Sequence, residues 1–470
     1  MKRIIILSMM FVAVAISSCK KYLDVQPQQT FGSNLAVTSV QGLQETTLGA
    51  YSQIQGGNLY GGGIIANSEL MADFVFPANT TVVLSNFNTS QEYTHQFNIY
   101  NANAGGMWAS GYQAILTANT VLQYLPNFQA SDPSDCNLMK GNCLFIRAAM
   151  HFELVKMFAQ PWGFTSNNTH LGIPIRLTPG TSTTGQNTPR STVAQVYAQI
   201  ISDLQAAIPL LPQVSNAELA SQYAAEAMLA RVYFAQNDFT DAAKYAGMVI
   251  NGGFSLSSSL RAAFQQLGTT TSTETVFQII NTAKNDPSNG NLHSNFSAAL
   301  YGYLVPNLGM NTPFVAILQS ALAVGDQRAS LFQKITGDYF CMKDSLQYTN
   351  VPVIRLEEMY LTRAESEAQT SDLSDASTDY NTIRTHAGLA PDLTMTQQGL
   401  INGIRGQRDL ELAIEGDHYY EVKRRAALSG SGFFNTPGAG QLAWNAFNMI
   451  YPIPQQEVQE NSAMVQNPGY

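Results

Sequence analysis

The chain has 470 residues, 24 Lys+Arg against 33 Asp+Glu, a formal net charge of −9 and only 12% charged residues, about half the usual share. That balance excludes a nucleic-acid partner, which needs a basic face, and a polybasic hold on anionic lipid. With 45% hydrophobic residues the length supports a large core. Asn, Gln, Ser and Thr are left to cover much of the surface, a chemistry suited to neutral, hydroxyl-rich ligands.

The first element is an apolar run, Ile4 to Ile16, preceded by Lys2 and Arg3 and closed by "SSC". It is shorter than the roughly 20 residues that span a bilayer and has the layout of a secretory signal. Ile16-Ser17-Ser18-Cys19 resembles a bacterial lipobox, in which Cys19 is lipidated and begins the mature chain; the plainer alternative is a signal peptide with an incidental cysteine. Loss of residues 1–18 leaves 22 basic against 33 acidic side chains. More than one acyl chain on Cys19 gives stable anchoring.

Helical periodicity dominates the rest of the chain. "LQETTLGAYSQI" and "WASGYQAILTANTVLQYL" read as a first, looser helix pair, separated by residues 56–106, which are rich in Gly, Asn and Thr. "GNCLFIRAAMHFELVKMFAQP" pairs with "STVAQVYAQIISDLQAAIP", with an irregular stretch at 165–190 and a short strand expected at "GIPIRL". Cys136 and Cys143 are candidates for a small disulfide loop in an exported protein; Cys341 is left over, and no CxxC appears. The clearest pair is "AAEAMLARVYFAQ" and "DFTDAAKYAGMVINGG": Ala225, Met228, Leu229 and Val232 form one apolar face, Ala242, Ala246, Val249 and Ile250 another. The break at "QND" and the closing "NGG" complete a tetratricopeptide-like unit. Residues 251–350 are irregular apart from the strand candidate "ETVFQII"; such long segments are usually functional or disordered, and their aromatic residues favour order. A fourth pair lies in "VIRLEEMYLTRAESEAQTSDLSDASTDYNTIRTHAG".

Catalytic signatures are missing: no Walker sequence, no GxSxG, no HExxH. Six histidines stand at 95, 151, 170, 293, 386 and 418 without helical metal spacing, so neither a metal nor a cofactor is expected. Arg408, Glu411 and Glu415 fall on one helix face and read as an ion-pair network rather than the facing carboxylates of a glycosidase. Loop aromatics with neighbouring amides are the better lead, because a flat ring stacks on a pyranose while Asn bonds its hydroxyls. The candidates are Tyr60, Asn86, Phe87, Asn88, Tyr93, Phe296, Tyr301, Tyr303 and Asn307. Trp108 and Trp162 occupy scaffold-like positions, leaving stacking to Tyr and Phe.

Taken in order, "SCKKYLDVQPQ", "WASGYQAILTANTVL", "GNCLFIRAAMHFELVKMFAQPWG", "GIPIRL", "VPVIRLEEMYLTRAE", "IRGQRDLELAIEGDHYYEVKRR" and "YPIPQQEVQENSAMVQNPGY" resemble the SusD/RagB family of outer-membrane nutrient-binding lipoproteins of the Bacteroidetes across nearly the whole chain. The resemblance implies a mainly α fold: a tetratricopeptide-like helical-pair scaffold with long irregular loops and a few short strands. It implies a signal peptide at 1–18, a single domain at 19–470 and ligand-binding loops near 56–106 and 251–350. It further implies a non-catalytic, outward-facing lipoprotein of the outer membrane that passes a glycan to a SusC-like TonB-dependent transporter. Rival readings are a peptide-binding member of a peptide-import complex, a tetratricopeptide adaptor and a glycan-cleaving enzyme.

Overall fold

The computed structural model describes residues 37–78, 87–180, 187–214, 217–284, 295–296, 306–393, 395–436 and 440–470. Its helices are α1 Val40–Ile54, α2 Gly63–Met71, α3 Phe87–Thr94, α4 Ala102–Tyr124, α5 Pro133–Phe158, α6 Val193–Ala207, α7 Gln222–Ala235, α8 Phe239–Ile250, α9 Thr312–Ala323, α10 Leu356–Gln369, α11 Leu373–His386, α12 Gln397–Glu411, α13 His418–Ser429 and α14 Gln455–Glu460. The strands are β1 Val75–Pro77, β2 Thr275–Ile279, β3 Leu308–Met310, β4 Phe332–Ile335, β5 Asp338–Cys341, β6 Val351–Arg355, β7 Phe433–Thr436 and β8 Gly440–Ala443. The fold is mainly α, as the sequence reading expects.

Most helices start where a short polar side chain satisfies orphan backbone N–H groups. Ser39, Asn101, Asp132, Ser221, Asp238, Asp372 and Thr396 each accept from a backbone N–H in the first turn of the helix they precede. Thr192 and Gln195 form a reciprocal capping box at α6. The break at "QND" is Asn237 at φ 58° followed by the Asp238 cap, since Asn tolerates the left-handed region.

All four expected pairs are present: α1 with α4, α5 with α6, α7 with α8, and α10 with α11. They stack through α4–α5, α6–α7 and α8–α10, and α12 packs on α10. α4 and α5 approach so closely that a Cβ on Gly111 would stand 3.1 Å from the Leu154 side chain. Polar residues lock the first two pairs. Arg147 on α5 donates to both carboxylate oxygens of Asp203 on α6, at 2.8 and 2.6 Å, and to Asn119 Oδ1 on α4 at 2.9 Å. One apolar cluster runs from Leu43 to Met464, with a smaller one among α10, α11 and α12.

Four expectations change. Residues 251–350 are not irregular apart from one strand but also carry β3, α9, β4 and β5. Residues 56–106 are not a plain loop: the glycines of "GGNLYGGG" make turns, with Gly62 at φ 147°, and then "GIIANSELM" forms the buried helix α2. "GIPIRL" forms no strand; the one bridge nearby, Leu171↔Thr192, precedes it, Pro174 interrupts the segment, and a proline has no N–H for a ladder. Cys136 and Cys143 are free thiols buried on the same helix, α5, where seven positions separate them by about 10 Å along the axis, beyond the reach of a disulfide. The strand expected at "ETVFQII" is β2, fully buried and antiparallel to β6.

Candidate ligand-binding face

The irregular segments meet at one short ladder. β1 and β3 pair antiparallel with Val75↔Met310, Phe76↔Gly309 and Pro77↔Leu308. Phe74 O accepts from Asn311 N and Ala78 N donates to Asn307 O, both at 2.8 Å. Gly309 is required by close approach, because a Cβ there would lie 2.8 Å from the Phe76 ring. β1 ends and β3 begins at the same end of this ladder, at Pro77 and Leu308.

Beside the ladder sits a half-buried polar chain. Asn311 caps α9, its Oδ1 accepting from Thr312 N at 2.9 Å, and its Nδ2 donates to Asp73 Oδ1 and to Tyr93 Oη at 3.4 Å. Asp73 has φ 58°, a left-handed backbone that Asp tolerates better than most side chains. Burial pushes its carboxyl up to about 6, against the Asn311 hydrogen bond that lowers it. Burial, and then the nearby Asp73 charge, raises the Tyr93 phenol. A carboxylate, an amide and a phenol joined in this way offer both donors and acceptors to hydroxyl groups, with the Tyr93 ring as an apolar surface.

The structure brings Tyr93 and Asn307 to this ladder, and Phe87 and Asn88 open the same helix, α3, that carries Tyr93. Two assignments are corrected. Tyr60 is 4% exposed, with Oη donating to Glu153 Oε1 at 3.2 Å; the turn before α2 folds it into the core. Phe296 is 0% exposed and belongs to the main apolar cluster. Neither ring offers a face to a ligand in solution. Asn86, Tyr301, Tyr303 and Cys19 lie outside the described residues. The sequence reading missed Asp73 and Asn311, although "NTP" at 311–313 is a helix-start signature that points to Asn311.

The expected ion-pair network exists with different partners. α12 ends at Glu411, so Glu415 lies beyond it. Arg408 grips Asp417 at 2.7 and 2.8 Å, and Glu411 pairs with Arg328 and Arg355. Glu415 takes Lys343 at 2.6 Å and Arg355 at 2.8 Å. The adjoining cavity of about 80 Å³ is lined by charged groups and also by apolar and aromatic side chains, Tyr60, Phe152 and Tyr420 among them. Its carboxylates are held by cations: Glu153 by Lys156, Glu358 by Arg231, and Glu421 by Arg424. This interior binds α7, α10, α12 and α13 together and presents carboxylates already neutralised.

Two family models cover most of the chain. Residues 21–234 match a family described as starch-binding and associating with the outer membrane, and residues 343–470 match the SusD family. The chain belongs to the SusD/RagB family. It is 35% identical over 135 residues to the starch-binding protein SusD of Bacteroides thetaiotaomicron, covering 26% of this chain and 22% of that protein. It is 32% identical over 171 residues to SusD-like protein P2 of Formosa agariphila, covering 36% of this chain and 31% of the other. These matches thus span less than a third of either curated relative. Solved SusD-superfamily structures match the fold over far more of the chain. One from B. thetaiotaomicron has a TM-score of 0.79 at 22% identity, covering 92% of this chain and 100% of that one. A SusD-like carbohydrate-binding protein from Bacteroides vulgatus has a TM-score of 0.76 at 16% identity, covering 91% and 97%. Among the described residues no helix is long and apolar enough to cross a membrane.

Proposed function

We propose that this SusD/RagB protein captures a glycan at the face built around the β1–β3 ladder and delivers it to a SusC-like TonB-dependent transporter, without catalysis. In this reading Cys19 carries the lipid anchor and holds the chain, from residue 19 on, at the outer membrane facing outward. The observation that carries the reading is the Asp73–Asn311–Tyr93 chain beside the β1–β3 ladder. Family descriptions as starch-binding support it, as does the pairing of the cavity carboxylates, which leaves them unsuited to act as the acid and base of glycoside hydrolysis. Tyr93, Asn307, Asn311 and Asp73 contact sugar from the ladder, joined by Asn86, Phe87, Asn88, Tyr301 and Tyr303 from the flanking segments.

The test is a binding screen of chain lacking residues 1–19 against polysaccharides, oligosaccharides and peptides, with product analysis on the same samples. The expected result is saturable glycan binding without new reducing ends and with little salt dependence, since few charges take part. Binding to peptides alone moves the protein to peptide import, and new reducing ends refute the non-catalytic reading.

A further inference from the structure

Two buried carboxyls and a half-buried imidazole, far apart in sequence, come together and each keeps one atom without a partner. Glu274 immediately precedes β2, Glu357 lies in the first turn of α10, and His386 ends α11. Glu274 and Glu357 are each 1% exposed. Glu274 Oε1, Glu357 Oε2 and His386 Nδ1 have no hydrogen-bond partner, and the three residues bring ligand atoms within 4.8 Å of one another.

The opposite atom of each side chain is engaged. His386 Nε2 lies 2.7 Å from Ser257 O. A carbonyl only accepts, so Nε2 carries the hydrogen and Nδ1 presents a lone pair. Glu274 Oε2 accepts from Ser257 N at 2.9 Å, and Glu357 Oε1 pairs with Arg355 at 2.8 Å. Ser257 therefore orients two of the three groups through its own backbone, the outer-shell support that fixes ligand direction at metal sites. Arg355 is shared with Glu411 and Glu415, which leaves the Glu357 charge only partly met. Two buried carboxyls and an imidazole brought this close favour a positive species, a cation or a proton, among them.

We infer that Glu274, Glu357 and His386 form a binding site for a first-row divalent cation, zinc foremost. The imidazole decides against calcium and magnesium, which take oxygen ligands, whereas zinc accepts imidazole nitrogen and carboxylate oxygen at about 2.0–2.2 Å. At tetrahedral angles two such bonds place their ligand atoms about 3.4 Å apart, so closing on the ion from separations of up to 4.8 Å needs each side chain to move by roughly 0.7 Å or more. The site ties the segment after α8 to the β2–β6 ladder and to the α10–α11 pair. Helical spacing of histidines did not reveal it because the ligands converge only through the fold, contrary to the expectation of no metal.

The test uses chain lacking residues 1–19, stripped with chelator and titrated with Zn²⁺ at neutral pH by calorimetry and elemental analysis. The expected result is one zinc per chain, a melting temperature raised by several degrees, and no displacement by equimolar Ca²⁺. His386→Gln and Glu274→Gln are each expected to weaken binding about 100-fold or more, beyond the usual loss for an outer-shell change. Should either variant fail to fold, the unsubstituted protein loaded with Co²⁺ decides, because a four-coordinate imidazole–carboxylate site absorbs visible light far more strongly, and at longer wavelength, than the faintly pink aquated ion. A cobalt spectrum no stronger than that of the aquated ion, zinc binding unchanged in the folded variants, or a melting temperature indifferent to zinc overturns the site. The last result would leave a proton shared between Glu357 and its neighbours as the positive species.

Discussion

Replacing Arg147 by methionine removes the cation that joins α4, α5 and α6. Asp203, 3% exposed, then keeps only its bond from Gln199, and Asn119 Oδ1 loses its donor. Leaving one member of a buried pair behind costs about 3–5 kcal/mol, a large fraction of a typical folding stability. The double substitution Arg147→Met with Asp203→Leu removes the stranded charge and leaves chiefly the Asn119 oxygen unpaired, so its cost falls to about 1–3 kcal/mol. Both variants are measured by urea denaturation, comparing midpoints at constant slope. A single variant within about 1 kcal/mol of the parent, or a double variant as damaged as the single one, refutes the assignment of this bridge as the lock between the first two helix pairs.

Other predictions concern the face, the interior and the thiols. Tyr93→Ala weakens glycan affinity about tenfold, by losing an aromatic contact worth roughly 1.5 kcal/mol, whereas Tyr60→Phe leaves it unchanged; titration calorimetry on the ligand found in the screen distinguishes them. Glu69, fully buried with only Gly416 N donating to it, has its carboxyl pushed up to about 8, chiefly by burial. The folded chain thus holds a proton that the unfolded chain sheds near pH 4.5, so stability falls as pH rises from about 4.5 through 8. Glu69→Gln removes that part of the decline, and denaturation midpoints at pH 6 and pH 9 check it. In chain lacking residues 1–19, thiol titration finds Cys136, Cys143 and Cys341 unreactive when folded and all three reactive in denaturant; fewer than three would reveal a disulfide.

The four helix pairs were legible because burial imposes a 3.6-residue period that survives in Ala225, Met228, Leu229 and Val232, and because caps such as Asp238 mark the starts. Family motifs fixed their order. The glycine-rich stretch at 56–62 misled, because glycine signals a turn without saying how soon a helix resumes; Ile64 and Ile65 begin α2 almost at once. Tyr60 and Phe296 misled for a related reason: local sequence distinguishes poorly between an aromatic that faces water and one that closes a turn over the core. Partnerships were the least legible feature. Arg408 grips Asp417, past the end of its own helix, and Asp73 meets Asn311 only because β1 and β3 pair across most of the fold.

That last pairing has a bearing on how the chain matures. The helix pairs draw mainly on neighbours in sequence, whereas Asn311 meets Asp73 across 238 positions and Tyr93 across 218. Contacts of such separation pay their loop-closure entropy late and slow folding. As the chain is made from its N-terminus, the first three helix pairs are complete before β3, so the β1–β3 face cannot form until residue 310 has followed, and the α10–α11 pair comes later still. A chain truncated before residue 308 lacks β3, and with it the partner of β1 and the Asn311 end of the polar chain, so it is expected to have no such face.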